Sequence, residues 1–436
     1  MKQVLLLLFI FICIGCKPKI DVIEPNAGEI NPSHFVCLGG GEMAGYCNDA
    51  LYYNGQEQSL GNLLAKQLKL VGGEDFSQPL MPESSVGISH NGLSKLILGY
   101  KTDCLNNSSL SPVRLATSGD LSALNTSVYN PSVSFGNWGI PGLKIPDVFS
   151  LNYSNPFYTR MQSSAGISIL DESIFSNNAT FFAIYLGVED VLAFAKSGAT
   201  TDSMTPLSGA IGLDFENSLS IILATLSGSG AKGVISTIPD VTQLPYFTTI
   251  PINSLDLDSA NAHTLNSVYN PIGFDFVVGT NSFMIEDPSA NAFGVRPLED
   301  GERILLSTPL DSVKCFKMGS VFPFRSEFIL TIDEINEIQT RINQYNAVIK
   351  NLAEQYNLAV VDTKEWYHGL NNGMVYNGSP INSSFVSGSV FSLDGITLTG
   401  RGNALLCNEF INAINSKYNA NIPKVNALEY NAILFP

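Results

Sequence analysis

The sequence predicts an α/β fold of three layers, a mostly parallel central sheet with helices on both faces. Three observations carry that expectation. Short, continuously apolar runs of strand length alternate with helical stripes along the chain, the runs end at turn-forming glycines, and the longest helical stripe carries its own start signal. In such a fold function is expected at the carboxyl ends of the strands.

The elements follow in order. Phe35, Val36, Cys37 and Leu38 form an apolar strand that runs into Gly39-Gly40-Gly41 and then toward a helix. Leu60, Leu63, Leu64 and Leu68 recur at helical spacing, and that run stops at Gly72-Gly73. Residues 180–186, TFFAIYL, read as a buried strand ending at Gly187; residues 219–226 suit a helix, and residues 233–238, GVISTI, the strand after it. Thr331 and Glu334 make a Thr-x-x-Glu capping box, and Ile332, Ile335, Ile338, Ile342, Tyr345, Ile349 and Leu352 form one apolar stripe behind it. Residues 358–361, LAVV, give a strand ending at Asp362, and a last helix carries Leu405, Leu406, Phe410, Ile411 and Ile414. Three stretches rich in Asn, Ser, Gly and Pro, near 74–130, 240–325 and 364–390, read as insertions over the carboxyl edge of the sheet.

The first residues, MKQVLLLLFIFICIGC, have a basic start, an apolar run from Val4 to Ile14 and a small residue before Cys16. The run is too short to span a bilayer and reads as an export signal over residues 1–15. Ile14-Gly15-Cys16 resembles a bacterial lipobox, with Cys13 where leucine is more usual, which implies that Cys16 carries lipid. Residues 17–33 are polar and contain proline, as a tether would. The expected location is therefore the bacterial cell envelope, anchored to the outer membrane by N-terminal lipid. Lys17-Pro18-Lys19 carries no acidic cluster, which favours a periplasm-facing position.

Composition bounds the partners. A formal charge of −16 argues against nucleic acid and against an anionic membrane face as electrostatic partners. Only 14% of residues are charged and 45% are hydrophobic, so the core is large or a partner covers some surface. Beyond Cys16 the cysteines are Cys37, Cys47, Cys104, Cys315 and Cys407, an odd set at irregular spacing that is neither a disulfide framework nor a metal motif. One bridge is possible in an oxidising compartment, and Cys37 and Cys407 read as core residues. No metal and no cofactor is expected.

Four segments carry chemistry-bearing positions: residues 35–46, FVCLGGGEMAGY; residues 137–142, NWGIPG; residues 187–190, GVED; and residues 394–397, DGIT. In this order they resemble the four blocks of the SGNH (GDSL) hydrolases, whose fold is a flavodoxin-like α/β/α sandwich. Residues 45–68 and 391–415 resemble a long envelope-lipoprotein branch of that family. The resemblance covers nearly all of residues 34–418 and treats 34–436 as one domain. It implies that the nucleophilic serine is replaced by Gly41, the oxyanion-hole asparagine by Glu189 and the general-base histidine by Thr397. Gly139, whose backbone N–H would face the oxyanion, and Asp394, which would orient the histidine, are retained.

These replacements are costly for serine chemistry. Loss of nucleophile or base alone costs on the order of 10⁶ in rate in a serine protease. An ionised carboxylate about 4 Å from a developing oxyanion opposes it by roughly 4 kcal/mol at an effective dielectric near 20. Thr397 cannot act as a base at neutral pH. No catalytic residue is thus expected at this site, and the chain reads as a degenerate member that binds or scaffolds an envelope ligand or an outer-membrane protein complex. Two alternatives stay open. One is an esterase or acylhydrolase on lipid or carbohydrate esters with relocated residues, for which His90, His263 or His368 would have to reach the pocket. The other is a carboxylate-based hydrolase using Glu42 or Glu189. The bland reading of the acidic group is that Asp190 and Asp394 bond loop backbone, while Glu42 and Glu189 are solvated or pair with a base such as Arg401.

Overall fold

The computed structural model describes residues 24–175, 178–201 and 203–436; the expected signal and Cys16 lie outside them. Strand β1 (Phe35–Gly39) is buried at every position. It pairs in parallel with β4 (Asn137–Gly139) on one edge and β5 (Phe181–Tyr185) on the other. Beyond β5 lie β6 (Lys232–Ser236) and β7 (Ala359–Val361), also parallel, giving the order β7-β6-β5-β1-β4. Strands β2 (Leu96–Thr102) and β3 (Ser108–Arg114) form a separate antiparallel hairpin in the first insertion. The chain thus leaves β1 for one side of the sheet, then crosses to build the other, and the crevice at that reversal is where a ligand site is expected.

The helices that frame the sheet and the site include α1 (Gly41–Ala44), α2 (Leu60–Lys69), α3 (Glu189–Lys196), α4 (Glu216–Ser227), α5 (Leu310–Phe316), α6 (Ile332–Gln355), α7 (Thr363–Asn372) and α8 (Gly400–Tyr418). On one face α2 and α8 pack together, and α3, α4 and α6 pack on the other. The capping box of α6 forms as the sequence predicts: Thr331 Oγ1 accepts from Glu334 N, and Glu334 Oε2 accepts from Thr331 N at 2.7 Å. Its stripe is buried at Ile335, Ile338, Ile342, Tyr345 and Ile349, with the Tyr345 ring stacked 3.8 Å from Phe215. On the opposite face Tyr418 of α8 donates to Gly233 O of β6 at 2.8 Å, joining helix to strand deep in the core. The fold class expected from the sequence is the one observed.

The insertions are built rather than loose. The second has small cores of its own, one around Leu265, Tyr269 and Met284 and another around Phe283, Ile285 and Phe324. The stretch expected as a third insertion opens with α7, whose Tyr367 and Leu370 join the main core. The possible bridge exists between Cys104, in the turn of the β2–β3 hairpin, and Cys315 of α5, 211 residues apart. Cys37 and Cys407 are fully buried core residues, as read from sequence.

The expected tether ends earlier than residue 33. Residues 24–33 lie against the domain: Asn26 bridges to Asn421, Glu29 N donates to Tyr418 O at 2.9 Å, Lys232 pairs with Glu29 at 2.9 Å, and Ile30 is buried. These backbone and side-chain bonds compensate the polar composition that made this stretch read as free chain.

The Cys104–Cys315 bridge ties two insertions that share no sheet. Replacing both residues by alanine is expected to lower the unfolding free energy by about 2–4 kcal/mol, measured by urea denaturation, and to speed proteolysis within the β2–β3 hairpin.

Candidate functional site

Past the carboxyl ends of β1, β4, β5 and β6 the connecting loops enclose a cavity of about 390 Å³. Its floor comes from β1: the strand stops at Gly39 and the chain turns at Gly40 into α1, so that Gly41 and Glu42 face the cavity. The loop after β4 contributes Gly142 and Lys144, and the loop after β5 contributes Gly187 and the start of α3 at Glu189. The turn before α8 supplies Asp394, Ile396 and Thr397. Gly41, Glu189 and the pair Asp394 and Thr397, from three distant segments of the sequence, therefore share one wall.

Gly41 and Thr397 are neighbours. A Cβ built on Gly41 would lie 3.6 Å from Thr397 Cγ2 and 3.6 Å from the Tyr46 Cβ, ordinary packing distances. Nothing steric requires glycine at this position. Gly139 is different: it sits under α1, where a Cβ would meet Ala44 N at 2.3 Å, and it does not line the cavity. Its N–H donates to Asn137 Oδ1 at 2.8 Å. Gly139 is a packing glycine, and its expected role as an oxyanion donor is corrected on that ground. The cavity-facing glycine of the same segment is Gly142, at φ +79°.

Asp394 holds the turn. One oxygen accepts from Ile396 N and Thr397 N, both at 2.8 Å; the other accepts from Thr397 Oγ1 at 2.6 Å and from Asp49 N at 2.9 Å. Asn48 and Asp49, both at positive φ, are pinned in turn by Ser392 Oγ, which accepts from Asn48 N at 2.8 Å, and by an Arg114–Asp49 ion pair. Asp394 and the loop 48–49 thus form one rigid unit. Asp190, next to the cavity, is 1% exposed and accepts from Ile145 N at 3.1 Å. Burial pushes its carboxyl up to about 7, against the pull of bonds from Thr205 and Ile145. Both aspartates bond loop backbone, as the bland reading held.

Glu42 departs from that reading. It is 8% exposed, and Arg401 is not among the residues lining its cavity. Burial, opposed by its own backbone N–H and reinforced by the Glu189 and Asp394 carboxylates, pushes its acid up to about 8. At neutral pH Glu42 is mainly a protonated donor on the cavity floor. The Tyr185 and Tyr367 hydroxyls, 3.3 Å from each other, line the same floor.

His90 was expected outside the pocket, and the first insertion carries it into the wall. Its ring lies 5.4 Å from Tyr46 and 5.1 Å from Phe157. Burial against these rings, and the nearby Lys196, hold the imidazole below its usual range, although its outer edge is open to solvent. No local pattern in the sequence marks this contact. His263 and His368 are exposed and line no part of the cavity, and His34 at the amino end of β1 faces Glu74 at 3.4 Å. Ser85, near His90 in sequence, accepts from Gly87 N at 3.1 Å in a local turn. Of the aromatic residues in loop-like regions, Tyr153, Phe157, Tyr158, Tyr246, Phe247, Trp366 and Tyr367 all pack in or against the main core, and Tyr367 also reaches the cavity.

Among the described residues the cavity wall contains no serine and no cysteine; its one aliphatic hydroxyl is Thr397, already donating to Asp394. No group of His, Cys, Asp and Glu among them is arranged to hold a metal ion. No helix among them is long and apolar enough to cross a membrane.

No protein-family profile matches the chain, and no curated protein matches it. Among solved structures, the chain is similar to a lipase/acylhydrolase from Enterococcus faecalis, at 12% identity over 90% of this chain and 100% of that one, with a TM-score of 0.33. At that TM-score the likeness carries no functional weight, and the reading below rests on this chain's own residues.

The Glu42 acid gives a signed pH effect. Its folded value lies above the ordinary 4.5, so its contribution to stability is full below pH 4.5 and is lost as pH rises through about 8. Thermal melting of Glu42→Gln should match the parent at pH 5 and exceed it by several degrees at pH 8. Asp190, rising from 3.8 to about 7, adds a loss in the same direction that persists in the variant.

Proposed function

We propose that this protein is a catalytically degenerate, SGNH-hydrolase-like lipoprotein that binds a small polar ligand in the cavity at the carboxyl edge of its sheet. The observation that carries this reading is the wall itself. Where the family resemblance would put serine, asparagine and histidine stand Gly41, Glu189 and Thr397 on one cavity, and the one aliphatic hydroxyl of the wall among the described residues is engaged by Asp394. Serine catalysis needs a free hydroxyl beside a base. His90 is held among Tyr46 and Phe157, and no cavity-lining serine accompanies it.

What remains suits recognition. A protonated Glu42 and the Tyr185 and Tyr367 hydroxyls offer donors, and Tyr46 and His90 add their rings to the same wall. Ring faces beside convergent polar groups fit a hydroxyl-bearing ligand such as a sugar or a polyol headgroup. The cavity volume, about 390 Å³, lies within the range of ~300–1,000 Å³ usual for small-molecule sites. Scaffolding of an outer-membrane complex is the companion role, placed at the envelope by lipid on Cys16. The Cys104–Cys315 bridge supports an oxidising compartment.

Two measurements test this. The parent protein should neither react with a fluorophosphonate probe nor turn over p-nitrophenyl acetate above background, whereas the triple variant Gly41→Ser/Glu189→Asn/Thr397→His should gain probe labelling at position 41 and at least about tenfold turnover. That step is expected because Gly41 accepts a Cβ without a clash and a single catalytic base contributes roughly 10²–10⁴-fold. Specific labelling of any serine in the parent would sink the reading. Separately, intact mass of the membrane-extracted protein should show a chain beginning at a diacylated Cys16, and Cys16→Ser should release it to the soluble fraction.

A further inference from the structure

The cavity at the carboxyl edge of the sheet holds one buried group that no neighbour satisfies. Glu42 lines the floor and is 8% exposed. Among the described residues its carboxyl takes a hydrogen bond only from its own backbone N–H, and no Lys, Arg or His acts on it. An acid at that depth is seldom found without a partner, because native interiors pair almost all buried polar groups. The open side of this one is the cavity.

The charges that reach Glu42 are all of one sign. Burial raises its acid most, and the Glu189 carboxylate of α3 and the Asp394 carboxylate of the turn before α8 add to the rise. Asp394 is held by three backbone N–H groups and the Thr397 hydroxyl, all neutral donors, so no cation cancels its charge. The basic groups around the cavity bear on other residues: Lys196 on His90, Lys144 on Asp147 and Asp190, and Arg114 on Asp49. Burial, and after it the Glu42 charge, keep the Tyr367 phenol of α7 neutral, and its hydroxyl lies 3.3 Å from that of Tyr185 on β5. The floor therefore carries a negative potential and neutral oxygens.

Resting on the reading that this cavity binds a small hydroxyl-bearing ligand, we infer that the ligand also carries a primary ammonium that bonds the Glu42 carboxylate, as an amino sugar would. An ammonium has three donors and no acceptor. One donor meets Glu42, and the Tyr185 and Tyr367 oxygens on the same floor can accept another. The potential of Glu189 and Asp394 that opposes ionisation of Glu42 favours an arriving cation. Glu42 gives its proton to solvent as the ion pair forms. With the acid at about 8, holding it ionised at pH 7 costs a factor of about ten, and a charge-assisted hydrogen bond offsets a penalty of that size. A neutral hydroxyl in the same place leaves Glu42 protonated and gains no charge interaction.

The test is isothermal titration calorimetry of the full mature chain with glucosamine and with glucose, which differ by an ammonium in place of a hydroxyl. At pH 7 glucosamine should bind saturably, one per chain, and at least about tenfold tighter than glucose, the scale of one charge-assisted hydrogen bond. Titrations in two buffers of different ionisation enthalpy should show net proton release with glucosamine and none with glucose. Glu42→Gln, expected to melt no lower than the parent, should remove both the preference and the proton release. Equal binding of the two sugars by the parent overturns the ammonium and leaves the cavity reading standing. A preference that survives Glu42→Gln, or glucosamine binding by the parent without proton release, overturns the assignment to Glu42. Absence of saturable binding by either sugar overturns both readings.

Discussion

The carboxyl end of β1 is the constraint on which the pocket depends. β1 is paired on both edges, by β4 and β5, and buried on both faces, so its last residue has no freedom of position. Its register sets Gly39 opposite both Gly139 and Tyr185. The turn at Gly40 then delivers Gly41 and Glu42 to a fixed place, and the loops after β4 and β5 leave the sheet on either side of it. A parallel sheet with this strand order opens a crevice at such a point whether or not chemistry is performed there. The scaffold and the reaction are separable for that reason.

The separation is visible in the side chains. Asp394 accepts four hydrogen bonds from its own turn and from Asp49, so a carboxylate that would steady a histidine in a hydrolase here steadies backbone. Thr397 completes that turn. Glu189 stands where the family resemblance would put a donor aimed at an oxyanion. The proposed ligand-binding role draws on these same features, a rigid turn and a buried acid at the carboxyl edge of the sheet.

Some of the residues that matter were legible in the chain. The capping box at Thr331 and Glu334 is a local event, set by neighbours three residues apart, and it forms as its spacing requires. The apolar runs of β1 and β5 announce strands buried on both faces. The resemblance carried by the four segments 35–46, 137–142, 187–190 and 394–397 implied Gly41, Glu189 and Thr397 at one site, and all three line the same cavity. Gly139 failed because two glycines three residues apart in NWGIPG look alike in sequence. Only the approach of α1 to within 2.3 Å of a would-be Cβ shows which one packs and which one faces the cavity.

The sequence by itself determined the strands, helices and caps, the three-layer class, and the absence of serine, asparagine and histidine from the expected positions, since each of these is written in local pattern. Tertiary structure alone decided the rest: the burial that raises the Glu42 acid, the entry of His90 beside Tyr46, the pairing of Cys104 with Cys315 and the docking of residues 24–33. Each of those is a long-range contact, and desolvation and pairing energies depend on what the fold brings within a few ångströms rather than on what lies next in the chain.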